Sequence, residues 1–194
     1  MNGVNNKKFT VLNKKSLYSG FLKLNRYTLQ HSLHRGGISQ PVVREVMERG
    51  HAVAVLLHDP TRDEIVLVEQ FRAGAIHEDN PWLTELVAGM VEPEESLEDV
   101  ARREAEEESG AQVGELEFIG NYFGSVGACT EKTTLFYAQI DATQVEGIHG
   151  VAAESEDIRV VKLSAKQFLA HLDAPLLHTA SLMIAGLWFK VHKC

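Results

Sequence analysis

The acidic stretch at residues 89–111 holds the side chains of this chain that are best spaced to do chemistry. Ser96 is a favourable helix N-cap and Gly110 is a favourable helix stop, so the sequence predicts a helix between them. At about 100° per residue, Glu104 and Glu108 lie on one face of that helix, one turn apart. Carboxylate oxygens at this spacing suit a hard divalent cation.

The helix face that carries Glu104 and Glu108 is also its apolar face. The other residues of that face are Leu97, Val100, Ala101 and Ala105, and Glu107 lies at its edge. Two carboxylates on a face that packs inward repel each other and are costly to desolvate, so they need a counter-charge. A bound cation is one interpretation. The alternative is an ordinary acidic helix whose charged face is exposed to water.

The spacing of this stretch resembles the Nudix box, the sequence motif of the Nudix hydrolases. Every fixed position of the motif is filled, by Gly89, Glu95, Arg103, Glu104, Glu107, Glu108 and Gly110. The two aliphatic positions hold the smaller residues Ala105 and Ala111. A motif with this many fixed positions is far more specific than a short glycine pattern. The resemblance extends over nearly the whole chain, and it is to the bacterial ADP-ribose pyrophosphatase branch of the family.

The resemblance implies a reaction, a cofactor and a set of catalytic residues. The reaction is metal-dependent hydrolysis of the pyrophosphate bond of ADP-ribose, which yields AMP and ribose 5-phosphate. The cofactor is Mg²⁺, with Mn²⁺ as a substitute. The metal ligands are Glu104, Glu107, Glu108 and the backbone carbonyl of Ala88, and the general base is Glu154 on a later loop. Hydrolysis of a pyrophosphate needs cations to neutralise charge and a base to accept a proton from water.

The resemblance also implies substrate-binding residues outside the metal site. They are Phe21, Arg44, Glu45, Arg49, Arg72, Met90, Ser125, Glu131 and Glu156. From the residues alone, simpler interpretations stay open. Arg44, Glu45 and Arg49 also fit an exposed strand with salt bridges. Glu154 and Glu156 also fit an acidic surface loop.

Val126 departs from the ADP-ribose branch, in which a proline commonly occupies this position. Another nucleoside diphosphate sugar therefore stays open as the substrate. A second alternative is of a different class, a catalytically silent module that binds ADP-ribose. The intact acidic residues of the box and of the later loop favour an enzyme over such a module. A third alternative, a hydrolase of damaged nucleoside triphosphates, is disfavoured by the N-terminal segment and by the Arg44-Glu45 pair.

Composition limits the classes of partner and the location. The chain has 194 residues, 44% of them hydrophobic, and a formal net charge of −8. That charge argues against nucleic acid as a partner, and no apolar run is long enough to span a membrane. Cys129 and Cys194 make no disulfide framework, and the start MNGVNNKKFT lacks the apolar core of a signal peptide. We therefore expect a cytoplasmic protein.

Alternating strand and helix patterns predict the elements that position these residues. Residues 47–194 are expected to form the hydrolase domain, an α/β fold of the Nudix type, which is an α/β/α sandwich with a mixed sheet. Within it, Trp82–Val87 is predicted as one strand that leads into the box. Residues 1–46 are predicted to form a small antiparallel sheet, too small to bury its apolar side alone. In the resembling family this segment is a dimerisation arm that reaches the partner's active site, so a homodimer is expected.

Overall fold

The computed structural model describes residues 7–176 and 178–194. The chain forms two compact units. The first, here called the arm unit, comprises Met1–Gly50 and Phe123–Glu131. The second, here called the main unit, comprises His51–Tyr122 and Lys132–Cys194. The arm unit thus includes a segment that follows the acidic helix in the sequence.

The described residues of the arm unit contain a three-stranded antiparallel sheet. Its strands are β1 (Phe9–Ser19), β2 (Lys23–His31) and β3 (Val42–Glu48), in that order across the sheet. The later segment joins β3 through the backbone of Met47. The N–H of Met47 donates to Ala128 O (2.8 Å), and its carbonyl accepts the N–H of Thr130 (3.0 Å). Several large apolar side chains of this unit are exposed, among them Phe9, Tyr18, Phe21 and Val43.

The described part of the main unit is built on an eight-stranded mixed sheet. Its strands are β4 (Ala52–Asp59), β5 (Glu64–Phe71), β6 (Trp82–Glu85), β7 (Val87–Met90), β8 (Leu116–Phe123), β9 (Lys132–Gln139), β10 (Ile148–His149) and β11 (Ile158–Ser164). The order is β10-β11-β5-β4-β9-β8, with β6 added to β5 and β7 added to β4. β4 and β9 are parallel, whereas β5 is antiparallel to β4, β6 and β11. The predicted mixed sheet is therefore confirmed.

Helices cover both faces of this sheet. Those of the described residues are α1 (Leu97–Ser109), α2 (Ala165–Asp173) and α3 (Ala180–His192). Along β4, Val53 and Val55 pack in the core under α1, whereas Ala54 and Leu56 pack in the core under α2 and α3. Successive side chains of a strand face opposite sides, so this alternation builds one core on each face. The predicted α/β/α sandwich is confirmed.

One predicted strand is wrong, because Trp82–Val87 forms parts of two strands. β6 pairs with β5, and β7 pairs with β4, so the chain changes its partner strand at Leu86. Leu86 is buried at this point. The choice of partner strand depends on tertiary packing, which the local apolar pattern does not record.

Within residues 7–176 and 178–194, none of the helices has the length and apolar character needed to cross a membrane.

Candidate active site

Helix α1 begins and ends where the sequence predicts. The side chain of Ser96 caps its first turn by accepting the N–H of Asp99 (3.1 Å). Gly110 follows the last turn with a φ of 74°, and its N–H donates to Glu106 O (2.9 Å). Glycine adopts this left-handed conformation without strain. The two caps fix the helix, and with it the positions of its carboxylates.

The predicted inward face of α1 is also confirmed. Val100, Ala101 and Ala105 are fully buried in the core under the helix. Glu108 is only 3% exposed, and the side chain of Glu104 is 13% exposed. The alternative of a helix with all its carboxylates in water is therefore wrong for these two residues.

Glu108 is held by the neighbouring strands. Its Oε2 accepts the backbone N–H of Ala88 on β7 (2.9 Å), and its Oε1 lies 3.4 Å from Nε2 of the buried Gln70 on β5. Burial raises the pKa of Glu108 to about 8, and the charges of Glu104 and Glu156 add to the rise. The Ala88 N–H acts in the opposite direction. A carboxyl in this environment needs a cation nearby to be charged at neutral pH.

Glu104 lies against the backbone of Gly89. A Cβ atom placed on Gly89 would lie 1.8 Å from Glu104 Oε1, so a larger residue here would displace this carboxylate. Burial raises the pKa of Glu104, and the charges of Glu107 and Glu156 raise it further, against the lowering effect of Arg103. Gly89 thus allows the desolvated Glu104 carboxylate to approach β7 closely.

Arg103 is the counter-charge for several carboxylates of the box. It pairs with Glu95 (3.2 Å) on the loop before the helix and with Glu107 (3.0 Å) one turn further along the helix. It also pairs with Glu104, its neighbour in the sequence (2.8 Å). Neighbouring residues of a helix do not normally face each other, so the spacing gave no reason to expect this contact.

The donor set of this region fits a hard divalent cation. In the part of the chain that the structure describes, no group of three or more acidic, histidine or cysteine side chains is arranged to hold a metal. Backbone carbonyls can complete such a site, and Ala88 offers one. Ala88 is paired with Ala54 across β4 and β7, but its N–H donates to Glu108. In an antiparallel pair a residue either exchanges both backbone bonds or neither, so the Ala88 carbonyl also faces away from β4. Glu104, Glu108 and this carbonyl are oxygen donors of the kind that a divalent cation takes as ligands.

The loop before β11 approaches the end of α1. The N–H of Gly150 donates to the carbonyl of Glu107 (3.1 Å), and Glu156 Oε2 accepts the N–H of Val151 (2.9 Å). The charge of Glu156 raises the pKa of Glu104 and of Glu108, so the three carboxyl groups interact electrostatically. Glu154 ends a short 3₁₀ turn, Ala152–Glu154, and its side chain is exposed.

Two further predicted residues lie in the main unit. Arg72 follows β5 directly, and its Nε donates to Glu85 Oε2 (2.5 Å). Its charge is one of the influences that lower the pKa of Glu108, which burial raises. Met90 is the last residue of β7 and is partly buried. No motif in the sequence marks Glu85 or Gln70, because each is a lone polar residue in a strand pattern.

The remaining predicted residues lie in the arm unit. They are Phe21, Arg44, Glu45, Arg49, Ser125 and Glu131. The structure brings two of them together, since Arg49 Nε lies 2.8 Å from Glu131 Oε2. Glu45 forms a cross-strand salt bridge with Arg26 (2.6 Å), so the interpretation as an ion-paired strand holds for this residue. Phe21 is 90% exposed in the turn between β1 and β2.

A model of the NUDIX domain matches residues 48–179. The chain belongs to the Nudix family. Its acidic helix is therefore the Nudix helix, and the match includes the whole of α1 together with Ala88, Glu154 and Glu156.

Nudix proteins with named activities are similar to this chain over most of its length. The ADP-ribose pyrophosphatase of Escherichia coli (strain K12) is 42% identical over 183 residues, which are 94% of this chain and 88% of that protein. The ADP-ribose pyrophosphatase of Haemophilus influenzae is 44% identical over 161 residues, 81% of this chain and 74% of that protein. The GDP-mannose pyrophosphatase of Pectobacterium atrosepticum is 30% identical over 165 residues, 84% of each chain.

A solved structure shares the fold at low sequence identity. The crystal structure of an ADP compounds hydrolase superimposes with a TM-score of 0.70 over 96% of each chain, at 20% identity. This similarity supports the architecture of the Nudix fold described above.

Proposed function

We propose that this protein hydrolyses the pyrophosphate bond of ADP-ribose and releases AMP and ribose 5-phosphate. The observation that carries the proposal is the pair of desolvated carboxylates, Glu104 and Glu108, on the inward face of α1. The relatives at 42–44% identity, named ADP-ribose pyrophosphatases, support the substrate. An all-oxygen donor set supports Mg²⁺ as the cofactor, with Mn²⁺ as a substitute.

A divalent cation, when bound, would neutralise pyrophosphate charge and make a water molecule more acidic. Glu104 and Glu108 would hold it through their carboxylates, and Ala88 through its backbone carbonyl. Glu107 would be a further metal ligand at the edge of this set, and its carboxylate accepts a hydrogen bond from Arg103 (3.0 Å). The charge of Glu156 acts on the same carboxylates and would add negative charge that a cation can neutralise.

Side chains outside α1 would handle the proton and the substrate. Glu154 would accept the proton of the attacking water, and its place on an exposed loop suits a base that acts on a bound substrate. Arg72 would donate to phosphate oxygens, for which its planar guanidinium is suited. Met90 would contact the substrate near the box.

Glu154→Gln tests the assignment of the base. We expect kcat to fall by about 100-fold or more, because the glutamine cannot accept a proton, with Mg²⁺ binding and thermal unfolding unchanged. Glu146→Gln, at an exposed glutamate just before β10, is the matched control and should keep wild-type turnover. Near-normal kcat in Glu154→Gln would remove Glu154 from the mechanism.

A substrate panel tests the reaction itself. ADP-ribose, GDP-mannose, ADP-glucose and a nucleoside triphosphate are compared with and without Mg²⁺. We expect Mg²⁺-dependent turnover that is fastest with ADP-ribose. Preference for GDP-mannose would fit the relative at 30% identity and the presence of Val126, and it would replace the substrate but not the chemistry. Tight binding of ADP-ribose without turnover would make the protein a silent binding module.

We also propose that the arm unit forms a homodimer and binds the nucleotide half of the substrate. Its exposed apolar side chains, such as Phe9 and Phe21, support a role in association. The residues assigned to substrate in this unit are Phe21, Arg44, Glu45, Arg49, Ser125 and Glu131. A cytoplasmic location is part of the proposal, and the unpaired Cys129 and Cys194 support it.

A further inference from the structure

Glu85 is a buried carboxylate on the sheet face that carries α1. It lies on β6 opposite Val68 of β5 and is 9% exposed. Residues directly opposite in an antiparallel pair share a face, and Val68 belongs to the core under α1. Burial raises the pKa of Glu85, against the lowering effect of Arg72. A carboxylate in such a place is costly unless a cation is paired with it.

Glu85 binds the Arg72 guanidinium through its Nε atom. Arg72 Nε lies 2.5 Å from Glu85 Oε2, and the Arg72 backbone N–H donates to Pro81 O (2.9 Å). Both the backbone and the inner part of this side chain are therefore fixed. The Arg72 side chain is nevertheless 40% exposed. Because Nε is bound to Glu85, the N–H groups on the two Nη atoms are left for another acceptor.

Arg72 is also within electrostatic reach of the α1 carboxylates. Its positive charge opposes the rise that burial causes in the pKa of Glu108. The guanidinium is therefore oriented from one side by Glu85, and its charge acts on the region where the metal and the pyrophosphate are proposed to bind.

We propose that Glu85 is a positioning residue for pyrophosphate hydrolysis, which orients the Arg72 guanidinium so that its Nη atoms donate to a phosphate oxygen. This inference rests on the proposed function. A free arginine side chain loses rotamer freedom when it binds a ligand, whereas one already held by a buried carboxylate loses less. Glu85 itself contacts neither the substrate nor the metal.

A double-mutant cycle with Glu85→Gln and Arg72→Ala tests this role. Glutamine keeps the size of Glu85 but removes its charge. In the wild-type background we expect Glu85→Gln to raise KM for ADP-ribose by about tenfold, with a smaller change in kcat. In the Arg72→Ala background we expect it to change KM by less than about twofold, because it acts through Arg72. Equal effects in both backgrounds, or an unchanged KM, would overturn the proposal.

Glu69→Gln is the matched control for the loss of an ion pair. Glu69 lies on β5 and pairs with Arg159 (2.7 Å), so the substitution breaks a similar pair from a neighbouring strand. We expect its KM to equal that of wild type. If Glu85→Gln does not fold, Glu85→Asp takes its place in the cycle, since it keeps the charge but shortens the reach to Nε.

A second test repeats the double-mutant cycle but measures the affinity for inorganic pyrophosphate, with Mg²⁺ present, by calorimetry. This measurement does not depend on turnover. If the wild-type chain hydrolyses no nucleoside diphosphate sugar, the proposed function fails, and this binding cycle still decides the role of Glu85. A loss of pyrophosphate affinity that appears only when Arg72 is present supports the positioning role. Pyrophosphate binding that is absent, or equally strong after Glu85→Gln, overturns it.

Discussion

Glu108 contributes to the proposed chemistry at a cost to stability. Its pKa is about 8 in the folded protein, against an ordinary value of 4.5, chiefly because the carboxyl is buried. Between these values the folded state holds a proton that the unfolded state has released. The contribution of this residue to the stability of the metal-free protein therefore falls as the pH rises from 4.5 towards 8.

Glu108→Gln removes this penalty, since a glutamine oxygen can still accept the N–H of Ala88. In chelator at pH 8 we expect the variant to be more stable than wild type by roughly 2 kcal/mol, and the difference should shrink at pH 5. In Mg²⁺ its turnover should fall by about 100-fold or more. Urea unfolding at both pH values, beside a steady-state assay, checks both parts. Equal stabilities at pH 8 would mean that burial does not penalise the charged carboxyl.

The residue at position 89 of β7 determines how closely the Glu104 side chain of α1 can approach the strand. An alanine there would collide with the end of the Glu104 side chain, which can move, rather than with backbone. We therefore expect Gly89→Ala to lower kcat/KM by about tenfold or more while changing the free energy of unfolding by less than about 1 kcal/mol. Gly114→Ala is the control, because a Cβ there has no neighbour within 4 Å among the described residues. A stable Gly89→Ala variant with full activity would contradict the need for this close approach.

The turn between β4 and β5 depends on Asp59, which is buried and is not among the proposed site residues. Its carboxylate accepts N–H bonds from Thr61, Arg62 and Ala142 at 2.9, 3.1 and 2.9 Å. Burial alone would raise the pKa of Asp59, but these donors and the Arg62 guanidinium lower it to about 2. The stability it contributes is therefore present above the ordinary value of 3.8 and is lost as the pH falls through about 2.

Asp59→Asn should weaken this turn without affecting the chemistry. We expect a loss of roughly 2 kcal/mol in the free energy of unfolding at pH 7, because several hydrogen bonds to a charged acceptor are weakened. The kcat for ADP-ribose should stay at the wild-type value. Urea unfolding and the steady-state assay measure the two quantities, and a change in kcat with unaltered stability would refute the structural role.

The elements differ in how well local sequence determines them. The limits and inward face of α1 were predictable, because capping and a helical period are properties of neighbouring residues. The change of partner strand at Leu86 was not, since strand pairing joins residues distant in sequence. The same applies to Met47, whose backbone pairs with residues 128 and 130. The effect of the Glu156 charge on the pKa of the α1 carboxylates arises because a later loop returns to the helix. The spacing of residues within the box gives no information about that loop.

At the scale of the whole molecule, the proposed dimer predicts complementation between inactive variants. If the arm of one protomer serves the partner's site, Arg44→Ala and Glu154→Gln damage different parts of a shared site. A mixed dimer then contains one site with an intact arm and an intact base. We expect mixing and subunit exchange to restore up to about a quarter of wild-type turnover, as random pairing gives.

Light scattering on the purified protein gives the control for this experiment, because complementation requires a dimer. Mixing Arg44→Ala with a second arm variant, Arg49→Ala, should restore nothing if both act in one arm. A dimer that shows no complementation would place the arm and the base of each site in the same protomer. A monomer at assay concentration would remove the dimer altogether.

The bond from the Gly150 N–H to the carbonyl of Glu107 makes one amide hydrogen a reporter of loop motion. Its acceptor is a carbonyl in the last helical turn, which has no partner within the helix. Exchange of this hydrogen with deuterated solvent requires the loop to separate from the helix end. The exchange rate at Gly150 therefore measures the free energy of that separation directly, and its slowing by a bound ligand would measure how far the ligand holds the loop closed.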